Sequence, residues 1–273
     1  MKSILIINHG FLGDGMLASS FAENCKRNGF DRVDMLVGFP QLLTLLSGNP
    51  HIDNVYILEV GSHPNITKEL LEFDYDVIYT TEHLVFNERP VDTFNKKVGL
   101  TSLDYNLKLY VPQAIMDTDN KPKLAFQLDW ADRSTGPDRK PRDINNIIQQ
   151  LSQKYSVHLV GGDTHYNISK DTPLNFLKHC ALIQACDLFF GYPGGMHWVA
   201  CGVGTPTICT SEHVVNHYIG NGEFKGSNFQ DFCDEWMVHA SKQSTQKHIL
   251  FEPYVSDDFI VNYLLNINYE DLL

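Results

Sequence analysis

Two glycine-rich turns, one near each end of the chain, constrain the fold more than any other feature. The first, Asn8-His9-Gly10-Phe11-Leu12-Gly13-Asp14-Gly15, follows the apolar run Ile4-Leu5-Ile6-Ile7. The second, Gly191-Tyr192-Pro193-Gly194-Gly195-Met196-His197, follows Cys186-Asp187-Leu188-Phe189-Phe190. Each has the pattern of a short buried strand feeding a helix, the geometry in which backbone N–H groups and a helix dipole face an anion. Two such mouths predict two α/β lobes with a ligand between them.

The rest of the chain fits this expectation. Strands are predicted at 3–8, 33–38, 54–58 and 76–80, separated by helices at 15–28, 40–47 and 66–73, the alternation of a parallel sheet covered on both faces. Residues 81–115 break the rhythm and read as loops and short helices lining a cleft, and Asp117 to Pro122 has the turn chemistry of a linker. A second set follows, with strands at 123–128, 156–160, 187–190 and 206–210 and helices at 142–154, 173–180 and 195–202. Ser256 is placed to cap a last helix containing Phe259, Ile260, Tyr263 and Leu264. The expected organisation is an N-terminal lobe at 1–118, a C-terminal lobe at 119–255, and a C-terminal helix at 256–273 that returns to the N-terminal lobe.

Charge and cysteine usage narrow the function classes. With 21 Lys plus Arg against 33 Asp plus Glu, the net charge of −12 opposes a broad nucleic-acid footprint, which depends on clustered basic side chains. The 6 cysteines form no C-x-x-C pair and read as reduced core residues. No run of 18 apolar residues occurs, and Met1-Lys2 leads directly into a strand, so the expected compartment is the cytoplasm. Asp74-Tyr75-Asp76 and Asp117-Thr118-Asp119 match D-x-D, but one leads into a strand and the other lies in the linker. The histidines form no spaced ligand set, so no metal site is expected. Neither G-x-G-x-x-G nor G-x-x-x-x-G-K-[ST] is present, which disfavours a nicotinamide enzyme or a P-loop kinase.

Three segments carry a family resemblance. Ile4 to Ala18, ILIINHGFLGDGMLA, resembles the opening of the heptosyltransferases that use ADP-heptose, a strand followed by a Leu-Gly-Asp turn and a helix. Gly48 to Val55 is similar to that family's G-N-P-x-[IV]-D-x-[VI] segment, and Leu182 to Thr207 to its A-D-L-x-[IV]-x-x-D-T-G-P-M-H segment. The order and spacing agree, and a fainter likeness covers Gly136 to Leu151. Tyr192 and Pro193 stand where the family has Asp and Thr, while Gly194, Met196 and His197 match. The resemblance implies a GT-B architecture: two Rossmann-like lobes whose parallel sheets face a central cleft, with the acceptor on the first and the nucleotide sugar on the second.

The resemblance also implies roles. Asp14 falls on the family's general base, which accepts the proton of an acceptor hydroxyl as it attacks the anomeric carbon. The alternative is that Asp14 only caps the following helix. Gly194, Gly195, Met196 and His197 are placed to hold the donor diphosphate, with Tyr192 stacking on the donor or excluding part of it; a plain strand-to-helix turn is the competing reading. Arg139, with Lys140 and Arg133, is a candidate for stabilising the leaving group, or else part of a solvated basic loop. Gly162 and Asp163 end a strand where a nucleoside would lie, and His9, Phe11 and Gly13 are candidates on the acceptor side.

The expected activity is metal-independent, inverting glycosyl transfer from a nucleotide-diphosphate sugar, used as co-substrate with no further cofactor, to a carbohydrate or other hydroxyl acceptor. Two alternatives stay open. One is a phage-type DNA-base glycosyltransferase using a groove around Lys96, Lys97, Arg133 and Arg139; the other is a catalytically silent sugar-nucleotide binding protein.

Overall fold

The computed structural model describes residues 1–8, 12–57, 74–81, 90–101, 104, 106–114, 116, 120–128, 142–161, 172–211, 248–252 and 254–268. His9, Phe11, Arg133, Arg139, Lys140, Gly162 and Asp163 lie outside these residues, as does the helix expected at 66–73. The chain divides into two compact units, 1–111 with 171–177, and 112–170 with 178–273.

In the first unit β1 (Ser3–Asn8), β2 (Arg32–Val37), β3 (Asn54–Ile57) and β4 (Val77–Thr81) form a sheet of order β3-β2-β1-β4, parallel throughout. β1 is buried along its whole length, as a continuous Ile/Leu run in a doubly covered sheet must be. Helix α1 (Leu12–Arg27) and helix α2 (Pro40–Leu46) pack together and on this sheet. Helix α3 (Pro90–Val98) emerges from the stretch expected to be loops and short helices. Its Phe94 stacks on Phe21 of α1 at 4.1 Å between centroids and meets Tyr79 of β4 edge-on at 4.8 Å. One aromatic anchor of this kind fixes a helix whose exposed face is polar.

The second unit repeats the scheme. β5 (Lys123–Gln127), β6 (Ser156–Val160), β7 (Leu188–Gly191), β8 (Thr207–Thr210) and β9 (His248–Phe251) form a parallel sheet of order β6-β5-β7-β8-β9. β9 is an element the sequence reading lacks. Helices α4 (Ile144–Leu151), α5 (Pro173–Gln184) and α6 (Gly195–Val203) alternate with the strands; the residues of α5 up to Leu177 are counted with the first unit and the rest with the second, and α6 ends at Gly204 in the left-handed region, φ 84°, where a glycine carries no steric cost.

The C-terminal helix α7 (Asp257–Asn266) packs on the core of the second unit. Its Ile260, Val261 and Leu264 enter one core with Leu124, Phe126, Ile147, Leu151 and Phe190, all of the second unit. Polar bonds hold both ends. Ser256 Oγ accepts the N–H of Phe259 (3.1 Å), and Arg142 pairs with Asp257. At the other end Lys154 Nζ donates to the carbonyls of Leu264, Leu265 and Ile267, and Tyr155 Oη donates to that of Leu264. Among the described residues no helix is long and apolar enough to cross a membrane.

Candidate functional site

Open α/β sheets bind ligands beyond the carboxyl ends of their strands, where the strand order reverses. The first sheet reverses between β1 and β4, and the second between β5 and β7. The two glycine-rich turns leave the sheets at these points, after β1 and after β7.

In the first unit α1 begins at Leu12, three residues earlier than expected, because Leu12 itself is buried at 4% exposure. Asp14 therefore sits inside the first helical turn, half-buried beside half-buried Gly13. There a carboxylate is stabilised by the helix N-terminus, and the position also lies at the carboxyl edge of the sheet. The capping and catalytic readings share one geometry. Gly15 is closely packed: a Cβ there would come 2.2 Å from Leu42 Cδ1 and 3.2 Å from Asn8 Oδ1, so the Leu42 side chain would have to move. Asn8, fully buried at the end of β1, donates from Nδ2 to Thr81 Oγ1 across the reversal point.

The second unit uses a matching device. Gln127, the last residue of β5, is buried, and its Oε1 accepts the N–H of Tyr192 at 3.4 Å. Its carboxamide lies so close to Gly191 that a Cβ there would be 2.3 Å from Oε1. Each first strand thus ends in a buried carboxamide reaching toward the strand across the reversal. Sequence reasoning missed both, although a polar residue closing an apolar run is a visible signal.

Gly194 is the N-cap of α6 in extended backbone and has no side chain with which to cap it. Gly194 and Gly195 are half-buried, whereas Pro193 and Met196 are buried. Two glycines in succession keep the backbone of the helix start open to close approach. Gly194 is also fixed from below, since a Cβ would meet Tyr192 Cε2 at 2.7 Å.

Two expected donor contacts take other positions. Tyr192 is 8% exposed and belongs to the core with Leu124, Phe126 and Phe190, so its ring supports the turn from beneath instead of offering a stacking face. His197 is 2% exposed, and its ring faces inward: Nε2 lies 3.7 Å from Cys201 Sγ, and the ring meets that of His248 edge-on. Burial, then the nearby His248, pushes the His197 pKa well below its ordinary value, and burial lowers that of His248 to about 4. Both rings are neutral near pH 7 and neither offers a cation to a phosphate. The thiols of Cys201 and Cys209 are pushed up by burial, that of Cys209 also by Cys201. The fold therefore assembles His197, Cys201 and His248, which the sequence reading did not connect; the one local signal is the one-turn spacing of His197 and Cys201.

No protein-family model matches the chain, and no curated protein matches it in sequence. Similarity appears in the fold. The E. coli ADP-heptose lps heptosyltransferase II superposes with a TM-score of 0.52 over 77% of this chain and 84% of that one, at 17% identity. A glycosyl transferase family 9 protein from Veillonella parvula DSM 2008 gives 0.53 over 89% and 98%, at 12% identity. The E. coli heptosyltransferase WaaC, solved with ADP, gives 0.51 over 81% and 98%, also at 12% identity. The chain has the two-sheet α/β fold of heptosyltransferases, the GT-B class.

Proposed function

We propose that the protein is a glycosyltransferase that moves a sugar, with inversion, from a nucleoside-diphosphate donor to a hydroxyl acceptor. The observation that carries this reading is the α6 N-terminus. It opens on Gly194 and Gly195, which put no side chain over the helix start, at the order reversal of a sheet whose fold is that of known glycosyltransferases.

In this mechanism the second unit grips the diphosphate through the backbone amides of that helix start. Tyr192 and His197 hold the turn's shape from within. The first unit supplies the base: the Asp14 carboxylate takes the proton as the acceptor oxygen bonds to the anomeric carbon. The bond from that carbon to the β-phosphate oxygen breaks, and its electron pair leaves with the nucleoside diphosphate. The amides stabilise this negative charge, and Arg139, with Lys140 and Arg133, adds positive charge to it. The acceptor is read as a carbohydrate hydroxyl. A cytoplasmic setting is supported by the free, buried thiols of Cys25, Cys180, Cys186, Cys201 and Cys209.

The donor class is tested by thermal shift against a panel of nucleoside diphosphates and nucleotide sugars that includes ADP and ADP-heptose. A true ligand at about 100 times its Kd stabilises the fold by about 2.7 kcal/mol. With the stabilising donor, Asp14→Asn is expected to lower kcat by about 10²–10⁴-fold while nucleotide affinity is retained. Near-normal turnover of the variant would remove Asp14 from the role of base, and a panel with no stabilising member would remove the donor assignment.

A further inference from the structure

The inward face of α6 holds an arrangement that phosphate binding does not explain. His197 and Cys201 are one turn apart, so both side chains leave the same side of the helix. β9 brings His248 to that side, and donor atoms of the three residues lie within 4.8 Å of one another, all buried. Cys201 Sγ is 3.7 Å from His197 Nε2, and 3.8 and 3.9 Å from Nδ1 and Nε2 of His248.

A thiol donates one proton and its sulfur accepts only weakly, so hydrogen bonds to the two imidazoles that converge on it, at 3.7 to 3.9 Å, hold the group loosely. A tetrahedral zinc ion, with Zn–S about 2.3 Å and Zn–N about 2.0–2.1 Å, sets nitrogen and sulfur about 3.5 Å apart. The sulfur–nitrogen spacings already lie within a few tenths of an ångström of that value, and the two imidazoles would close by up to about 1.5 Å.

Thr207 offers His248 an outer-shell partner. The His248 Nδ1 lies 2.7 Å from Thr207 Oγ1, its direct partner in the β8–β9 register. With the Nδ1 proton donated to that hydroxyl, Nε2 keeps its lone pair; Cys201 Sγ lies almost equally far from both ring nitrogens, so the ring must turn to bring Nε2 onto an ion shared with the sulfur.

We propose that His197, Cys201 and His248 bind one zinc ion inside the second unit. Two imidazoles and a thiolate select a borderline-soft cation over magnesium or calcium, which take oxygen ligands. As the Zn–S bond forms, the Cys201 proton leaves to solvent and both imidazoles bind in their neutral form. The ion ties α6 to β9 from within and so fixes the helix at His197, in the same first turn that Gly194 and Gly195 open. This inference does not depend on the glycosyltransferase reading.

The test uses the full chain, purified without immobilised-metal resin or chelator. Elemental analysis is expected to find about one zinc per chain. After chelation, titration with cobalt(II) is expected to give a thiolate-to-cobalt charge-transfer band in the near ultraviolet, together with tetrahedral d–d bands. Cys201→Ser removes the thiolate band, His248→Gln lowers the bound metal, and Thr207→Val, which takes the partner from His248 Nδ1, weakens zinc binding by about 10–100-fold. Wild-type protein that is folded by circular dichroism, carries no zinc above background and gives no thiolate band with cobalt would overturn the proposal whatever the variants do.

Discussion

Asn8 and Thr81, the last residues of β1 and β4, are paired in register and joined side chain to side chain, Nδ2 to Oγ1 at 2.9 Å. The bond spans the point where the first sheet's order reverses, and Thr81 passes it on by donating to the carbonyl of Ile7. Thr81→Val keeps the shape but leaves the fully buried Asn8 amide without its acceptor. The expected cost is about 1–3 kcal/mol of folding free energy, read from urea denaturation.

The second unit's counterpart is tested by overpacking. In Gly191→Ala the new methyl would stand 2.3 Å from Gln127 Oε1 and 2.8 Å from Phe189 Cζ. Displacing the carboxamide also takes the acceptor from Tyr192 N–H. A loss of about 1–3 kcal/mol is expected. Because the Gln127 side chain is the nearest obstacle, adding Gln127→Ala should recover part of that loss, and a double-mutant cycle measures how much.

Ser256 caps α7 from an exposed position, so its removal leaves a donor that water can reach. Ser256→Ala is expected to cost about 1 kcal/mol. Thermal unfolding followed by the far-ultraviolet signal gives the value.

Acid should weaken the first unit through a defined cluster. Glu23 lies 3.0 Å from Lys108 and also pairs with Arg27, and Asp104 lies 2.9 Å from Lys108. Burial alone would raise both carboxyls. For Glu23 the hydrogen bonds and charges of Lys108 and Arg27 outweigh it; for Asp104 the Asn106 N–H, Lys108 and Arg27 do so, and both pKa values are lowered. A depressed folded-state pKa contributes stability above the ordinary values of 4.5 and 3.8, and that stability is lost as pH falls through the lowered ones. Urea midpoints measured from about pH 6 to about pH 3 should fall mainly below about pH 4.5. Glu23→Gln with Asp104→Asn should flatten that limb, and high salt should shrink it.

Much of the fold was legible because parallel strands are short runs rich in apolar residues closed by turn residues; β1, β2, β5, β7 and β8 are almost wholly buried, while β3, β4 and β6 are more exposed but keep the same spacing between helices. β9 escaped because His-Ile-Leu-Phe opens on a histidine whose burial depends on Thr207 and Cys201, 41 and 47 residues away. For the same reason the cluster around Cys201 could not be assembled from spacing alone. Tyr192 was read as a ligand contact from its place beside the glycines, yet the side a residue faces at a turn is set by the core below it. Asp14 was legible as a carboxylate at a helix start, but a helix start explains it as well as chemistry does, and a substitution is needed to separate the two.

The fastenings at both ends of α7 have a dynamic consequence. Terminal turns usually fray, and their amides exchange with solvent deuterium long before those of the middle. Here a serine hydroxyl and a guanidinium–carboxylate pair hold the first turn, while one ammonium and one phenol hold the last carbonyls. The strap should therefore resist peeling from either direction and open only when the core beneath Ile260 and Leu264 lets go, so that its protection against deuteration runs level from end to end.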